Sequence, residues 1–179
     1  MSGSDAFEIA EQIRAFGRNL RDARERTGLT QAQLSEAAPL DRAAISRLEC
    51  GERSPDMRTL LRVCAALDTT PAELLRGVGR GAARASARAG AEADAHGRFG
   101  ANLRWARQRA KISQERLALD AKVDRAAISV YENDVRQPNL RTILKLATKL
   151  DVTPSALLRG IPAEDRRGDD RSAAGLRRL

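Results

Sequence analysis

Apolar residues recur along much of the chain at intervals of three and four, which is the spacing of one helix face, and this pattern occurs twice. Residues 16–77 align with residues 99–160 at a constant offset of 83 without a gap, and 31 of the 62 aligned positions are identical. The identities include the unbroken segment DRAAIS, which begins at Asp41 and again at Asp124. Because each copy must be one folding unit, the repeat predicts two small domains.

Each copy predicts five short helices, and the helix starts carry the clearest signals. Thr30, with Gln33 three residues later, forms a capping box, and Asp41 is well suited to cap the third helix. Thr70 followed by Pro71 predicts the start of the fifth helix. The second copy has Ser113, Asp124 and Thr153-Pro154 at the matching positions. No segment alternates strictly and is rich in β-branched residues, so the predicted fold class is all-α.

The repeat also divides the chain into segments. We predict an N-terminal helical extension over residues 1–15, a first domain over 16–77 and a linker over 78–98. A second domain over 99–160 and a flexible C-terminal tail over 161–179 follow. The extension could prolong the first helix with an apolar edge formed by Phe7, Ile9 and Ile13. That edge either packs onto the protein's own domains or forms a docking surface for a partner protein.

The net charge of the chain indicates which kind of molecule it binds. The chain carries a net charge of +8, which favours an anionic partner, and nucleic acid is favoured over a membrane because no strongly apolar face accompanies the charge. The first repeat has 10 basic and 9 acidic residues, and the second has 12 and 6, so their net charges are +1 and +6. No apolar run is long enough to span a membrane or to serve as a secretion signal, which predicts a cytoplasmic protein.

Catalytic and metal-binding chemistry finds little support in the sequence. The lone histidine, His96, lies in the predicted linker, and no phosphate-binding glycine loop or paired-carboxylate motif occurs. Cys64 falls in an apolar helical stretch, where packing is favoured over redox sensing, and Cys50 lies near the predicted binding face. We therefore expect no enzyme activity, no cofactor and no metal site.

The second and third helices of each repeat are separated by only a few residues, as in a helix-turn-helix, whose second helix enters the DNA major groove. With Ala44, Ile45 and Leu48 facing the core, the exposed side of the predicted recognition helix presents four residues: Arg42, Ala43, Ser46 and Arg47. Arginine can bond guanine bidentately, serine is an adaptable donor or acceptor, and alanine can contact a thymine methyl. The second repeat presents Arg125, Ala126 and Ser129, with Val130 in place of Arg47.

These segments resemble the Cro and phage-repressor-like, or xenobiotic-response-element type, helix-turn-helix proteins. The resemblance rests on LTQAQLSEAAPLDRAAISRLECGERSP in the first repeat and ISQERLALDAKVDRAAISVYENDVRQP in the second. It implies two tandem five-helix lambda-repressor-like domains. It also implies that Gln31 and Gln114 hold phosphates and that Arg42 and Arg125 face bases. Two further pairs resemble the family's internal ion pair between helices one and three: Arg24 with Glu49, and Arg107 with Glu132.

Arg53 and Arg136, just beyond the third helix of each repeat, have two interpretations of equal weight. They contact phosphate or the minor groove of DNA, or they are ordinary solvated side chains.

Taken together, these features predict a sequence-specific transcriptional regulator, most simply a repressor, that reads a two-part site in double-stranded DNA through both domains. The alternative is an antitoxin or a protein-binding adaptor of the same fold that sequesters a partner protein. The recurrence of Arg, Ala and Ser on the exposed helix favours DNA reading. Self-association of the chain is left open by the sequence.

Overall fold

All regular elements in the described part of the chain are helices. The computed structural model describes residues 3–79 and 99–163, so most of the predicted linker and tail lie outside the described residues. The helices of the first repeat are α1 Gly3–Arg26, α2 Gln31–Ala37, α3 Arg42–Glu49, α4 Met57–Ala66 and α5 Pro71–Leu74. Those of the second are α6 Phe99–Arg109, α7 Gln114–Ala121, α8 Arg125–Glu132, α9 Leu140–Leu150 and α10 Pro154–Leu157. The all-α prediction is confirmed.

Side-chain caps fix where these helices begin, as the sequence predicts. Thr30 accepts a hydrogen bond from the backbone N–H of Gln33, whose side chain accepts from the N–H of Thr30, so both halves of the capping box form. Asp41 and Asp124 cap α3 and α8 by accepting from backbone N–H groups at 2.6 Å. A lost cap costs a helix about 1 kcal/mol, which explains why such short helices are defined.

Helix α1 crosses α3 at very short range, and this crossing positions the third helix. A Cβ atom added at Gly17 would lie 2.5 Å from the carbonyl oxygen of Glu49. Gly100 makes the same close approach to the carbonyl oxygens of Tyr131 and Glu132 in the second repeat. Because backbone atoms cannot easily move away, only glycine lets the two helices pack this closely.

Two asparagines tie the first helix of each repeat to the fifth, a contact that the sequence did not predict. The Asn19 amide donates to the carbonyl oxygens of Leu74 and Arg76 at 2.8 and 3.0 Å. Asn102 repeats the arrangement, donating to the carbonyl oxygens of Leu157 and Arg159 at 3.0 Å each. These bonds satisfy carbonyl groups that a helix end leaves without partners.

The N-terminal extension is the first half of α1, and its apolar edge packs within the chain itself. Ile9 and Ile13 are only 3% and 2% exposed, and α1 contacts α9 of the second repeat. An ion pair between Asp5 and Lys149, 3.7 Å apart, lies at the same junction. Phe7 points away from this contact and is 67% exposed. Ile9 and Ile13 thus belong to the protein's own core.

The two repeats also meet through equivalent elements. Helix α5 contacts α10, its counterpart in the second repeat. Before the fourth helix, Leu140 donates its backbone N–H to the Pro55 carbonyl and Arg141 donates to the Ser54 hydroxyl, both at 2.9 Å. At the offset of 83, residues 54–58 correspond to 137–141, so this segment too lies against its own counterpart. Contact of like with like is the pattern that a pseudo-two-fold axis produces.

Val78, which the sequence places in the linker, is buried and belongs to the hydrophobic core.

Candidate nucleic-acid interface

The third helix of the first repeat has one buried and one open side. Ile45 and Leu48 are buried in the core, as the sequence predicts. On the opposite side Arg42, Ala43 and Arg47 are exposed, and Ser46 is partly exposed. The open side therefore presents two guanidinium groups, a hydroxyl and a methyl group to the surroundings.

The exposed side of α8 in the second repeat resembles that of α3 but differs from it in two ways. Arg125 and Ala126 are exposed and Ser129 is partly exposed, but Val130 stands where the first repeat has Arg47. The guanidinium of Arg125 also forms an ion pair with Glu115 of α7, with Nη2 and Oε1 2.7 Å apart. The two open faces are thus related without being identical.

A buried ion pair joins the first and third helices of each repeat, which confirms the pairing implied by the resemblance. Arg24 donates to Glu49 from Nε at 2.6 Å and from Nη2 at 3.3 Å. Arg107 donates to Glu132 in the same two-pronged way, at 2.5 and 2.9 Å. The two glutamate side chains are 2% and 0% exposed. Each pair fixes the end of the third helix of its repeat against the core.

The ionisation of these pairs follows from their contacts. Burial opposes the charged form of Glu132, but hydrogen bonds from Arg107 and Gln114 outweigh burial, so the pKa of this carboxyl lies below its usual value. The hydrogen bond to Glu132 raises the pKa of Arg107, and the hydrogen bond to Glu49 raises that of Arg24. Arg107, Glu132 and Arg24 are therefore all charged at neutral pH.

The first residue of the second helix is bonded to this ion pair in both repeats. Gln31 donates its side-chain N–H to Glu49 Oε2 at 2.9 Å, and Gln114 donates to Glu132 Oε2 at 2.8 Å. The sequence alone did not predict this bond, although glutamine and glutamate recur at a spacing of 18 residues in both repeats. Since an amide nitrogen has two hydrogens, each glutamine keeps at least one further donor.

The remaining predicted residues lie next to these helices. Arg53 and Arg136 are exposed in the segments that follow α3 and α8. Cys50 is exposed at the end of α3, whereas Cys64 is buried, and burial raises the pKa of its thiol well above the usual value. Cys64 therefore serves as a packing residue.

Other kinds of site are not evident in the described residues. Within residues 3–79 and 99–163, no three His, Cys, Asp or Glu side chains are grouped so that they could hold a metal ion. No helix of these same ranges has the length and apolar character needed to cross a membrane.

Comparison with known proteins gives two matches to family models. A helix-turn-helix domain model matches residues 15–76, and a second helix-turn-helix model matches residues 103–157. Each match covers most of one repeat. The sequence resemblance to helix-turn-helix proteins is therefore confirmed for both repeats.

Similar individual proteins are also found. The uncharacterized HTH-type transcriptional regulator YqaE of Bacillus subtilis (strain 168) is 34% identical over 62 residues, which are 35% of this chain and 53% of that protein. The chain thus matches about half the length of this relative. The crystal structure of the restriction-modification controller protein C.AhdI from Aeromonas hydrophila is similar at 35% identity, covering 35% of this chain and 94% of that chain, with a TM-score of 0.34.

Proposed function

Since the chain belongs to the helix-turn-helix family of DNA-binding regulators and carries two such domains in tandem, we propose that it is a transcriptional repressor reading a two-part DNA site. The observation that carries this proposal is the pair of open helix faces, α3 and α8, each held against its domain by a buried ion pair. On these faces Arg42 and Arg125 contact base edges. The reading surface is completed by the side chains of Ala43, Ser46, Ala126 and Ser129, and in the first domain also by Arg47.

Contacts with the DNA backbone set the position of each reading helix. Gln31 and Gln114 each have at least one amide donor beyond the bond to glutamate, and we assign that donor to a phosphate oxygen. Arg53 and Arg136 are assigned to phosphate or to the minor groove beside the same half-site. Such contacts hold the protein in register without carrying sequence information.

The contact between equivalent elements of the two domains supports a two-part site. Helices related by a two-fold axis read inverted half-sites, and successive major grooves on one side of DNA are about 34 Å apart. One chain would then occupy both half-sites. Repression follows by occlusion of the DNA that the paired domains cover.

The charge difference between the domains predicts unequal contributions to affinity. The second domain, at +6, attracts phosphates more strongly than the first, at +1. Val130 in place of Arg47 removes one donor from the second reading surface. The two half-sites are therefore similar and not identical.

Removal of either reading arginine tests this assignment. Arg42→Ala or Arg125→Ala is expected to weaken binding to the preferred duplex by about 1 to 3 kcal/mol, because a bidentate bond to guanine is lost. The preference for guanine should disappear in one half-site only, as measured by competition among duplexes that differ at single base pairs. Arg76→Ala removes the same charge from a side chain 80% exposed beyond α5 and is the matched control.

A contrasting change tests the phosphate assignment. Replacing Gln31 or Gln114 with alanine should weaken binding to all duplexes by a similar factor. A change of base preference in these variants would contradict the phosphate role. Base preferences that are the same in Arg42→Ala, Arg125→Ala and wild type would contradict the reading role.

A further inference from the structure

The two reading arginines differ in their surroundings, and this difference bears on specificity. We infer that Glu115 is a positioning residue that holds the guanidinium of Arg125 for base reading. It gives the second half-site a stricter base requirement than the first. The inference rests on the proposed function, because it concerns how one of the two assigned reading residues selects its base.

The ion pair between Glu115 and Arg125 lies on the exposed side of the second domain. Arg125 is the first residue of α8 and Glu115 the second residue of α7, and their charged groups meet at 2.7 Å. Both side chains are exposed, at 74% and 62%, so the pair lies where DNA would approach and not within the core. It therefore contributes little to stability, since exposed ion pairs are worth at most about 1 kcal/mol.

The first domain lacks this arrangement. Ala32 occupies the position equivalent to Glu115, and its methyl group cannot accept a hydrogen bond. Across residues 3–79 and 99–163, no ion pair or hydrogen bond is found for the guanidinium of Arg42. The guanidinium of Arg125 therefore has a carboxylate that restricts its motion, whereas that of Arg42 has none among the described residues.

The chemistry of arginine allows its guanidinium to bond a carboxylate and a base at the same time. A guanidinium has five N–H donors in a planar fork, and one carboxylate oxygen engages only part of that fork. The other donors can still bond O6 and N7 of guanine. Fixing the side chain in advance reduces the conformational entropy lost on binding. The carboxylate also repels phosphates, which discourages Arg125 from turning to the DNA backbone.

The two repeats allow a matched test, because the residue at the equivalent position of each repeat can be exchanged for that of the other. We would prepare the full chain as Glu115→Ala, as Ala32→Glu and as the double exchange, and select bound sequences from random duplex DNA with each. In Glu115→Ala, discrimination at the base pair read by Arg125 should fall by up to about fivefold, while affinity for unrelated duplex rises. In Ala32→Glu, discrimination should rise in the first half-site, and the double exchange should move the stricter requirement from one half-site to the other.

The possible outcomes distinguish a failure of the role of Glu115 from a failure of the proposed DNA-reading function. If all variants enrich the same two-part site with unchanged base preferences, Glu115 has no positioning role, although the DNA-reading function stands. If the wild-type chain enriches no sequence, both proposals fall. A merely structural role for Glu115 would shift the unfolding temperature and leave base preferences unaltered, which would also overturn the inference.

Discussion

Replacing Arg107 with alanine is expected to lower the free energy of unfolding by about 3 to 5 kcal/mol. The side chain of Glu132 is 0% exposed and would remain in the core with only the half-exposed guanidinium of Arg104, 3.6 Å away, as a cationic neighbour. Gln114 would still donate one hydrogen bond at 2.8 Å, but an amide does not neutralise a buried carboxylate. The end of α8 would lose its buried ion pair with α6, so DNA binding should weaken as well.

Equilibrium unfolding in urea measures this effect. The control is Arg109→Ala, which removes an exposed guanidinium from the same helix, where it lies over the ring of Trp105. This change should cost no more than about 1 kcal/mol. The double variant Arg107→Ala with Glu132→Gln should recover part of the loss, because the unpaired charge is gone. Equal losses in Arg107→Ala and Arg109→Ala would show that the buried pair does not stabilise the domain.

Introducing a lysine at Ile9 is expected to detach the N-terminal half of α1 from the second domain. Ile9 is 3% exposed beside Lys145 and Lys149 of α9. The substitution therefore removes buried apolar surface and places an ammonium group in a buried position. Truncation of such a residue to alanine alone costs about 2 to 5 kcal/mol. Once detached, the domains remain tethered but no longer hold one orientation, so discrimination between half-site spacings should decrease.

Binding to duplexes that carry the two half-sites at different spacings detects this change. The wild-type chain should favour one spacing, whereas Ile9→Lys should bind several spacings with similar and lower affinity. Phe7→Lys, at a position 67% exposed on the same helix, is the matched control and should behave as the wild type. A sharp spacing preference in Ile9→Lys would mean that the extension does not fix the two domains.

Local features of this protein could be predicted from its sequence. The caps at Thr30, Asp41 and Asp124 depend on residue types at fixed short spacings, and all three form as predicted. The exposed side of α3 follows from the positions of Ile45 and Leu48 within one helical turn. The buried ion pairs join distant residues, and only the family resemblance indicated them.

Contacts between elements could not be predicted in the same way. Asn19 bonds to backbone carbonyl oxygens, which every residue carries, so no sequence signal identifies its partner. The ion pair of Glu115 with Arg125 joins two of many exposed charges. The packing of Ile9 against the second domain depends on the relative position of the domains, because an apolar helix edge indicates burial without identifying the surface that covers it.

The central claim is that one chain reads two inverted half-sites held in a fixed relation. Selection of bound sequences from random duplex DNA with the intact protein tests it most directly. We expect enrichment of two similar, unequal half-sites in inverted orientation, with centres about one helical turn, or 34 Å, apart at a single spacing. A single half-site, direct repeats or variable spacing would contradict it. Failure to enrich any sequence would instead favour the antitoxin or adaptor alternative.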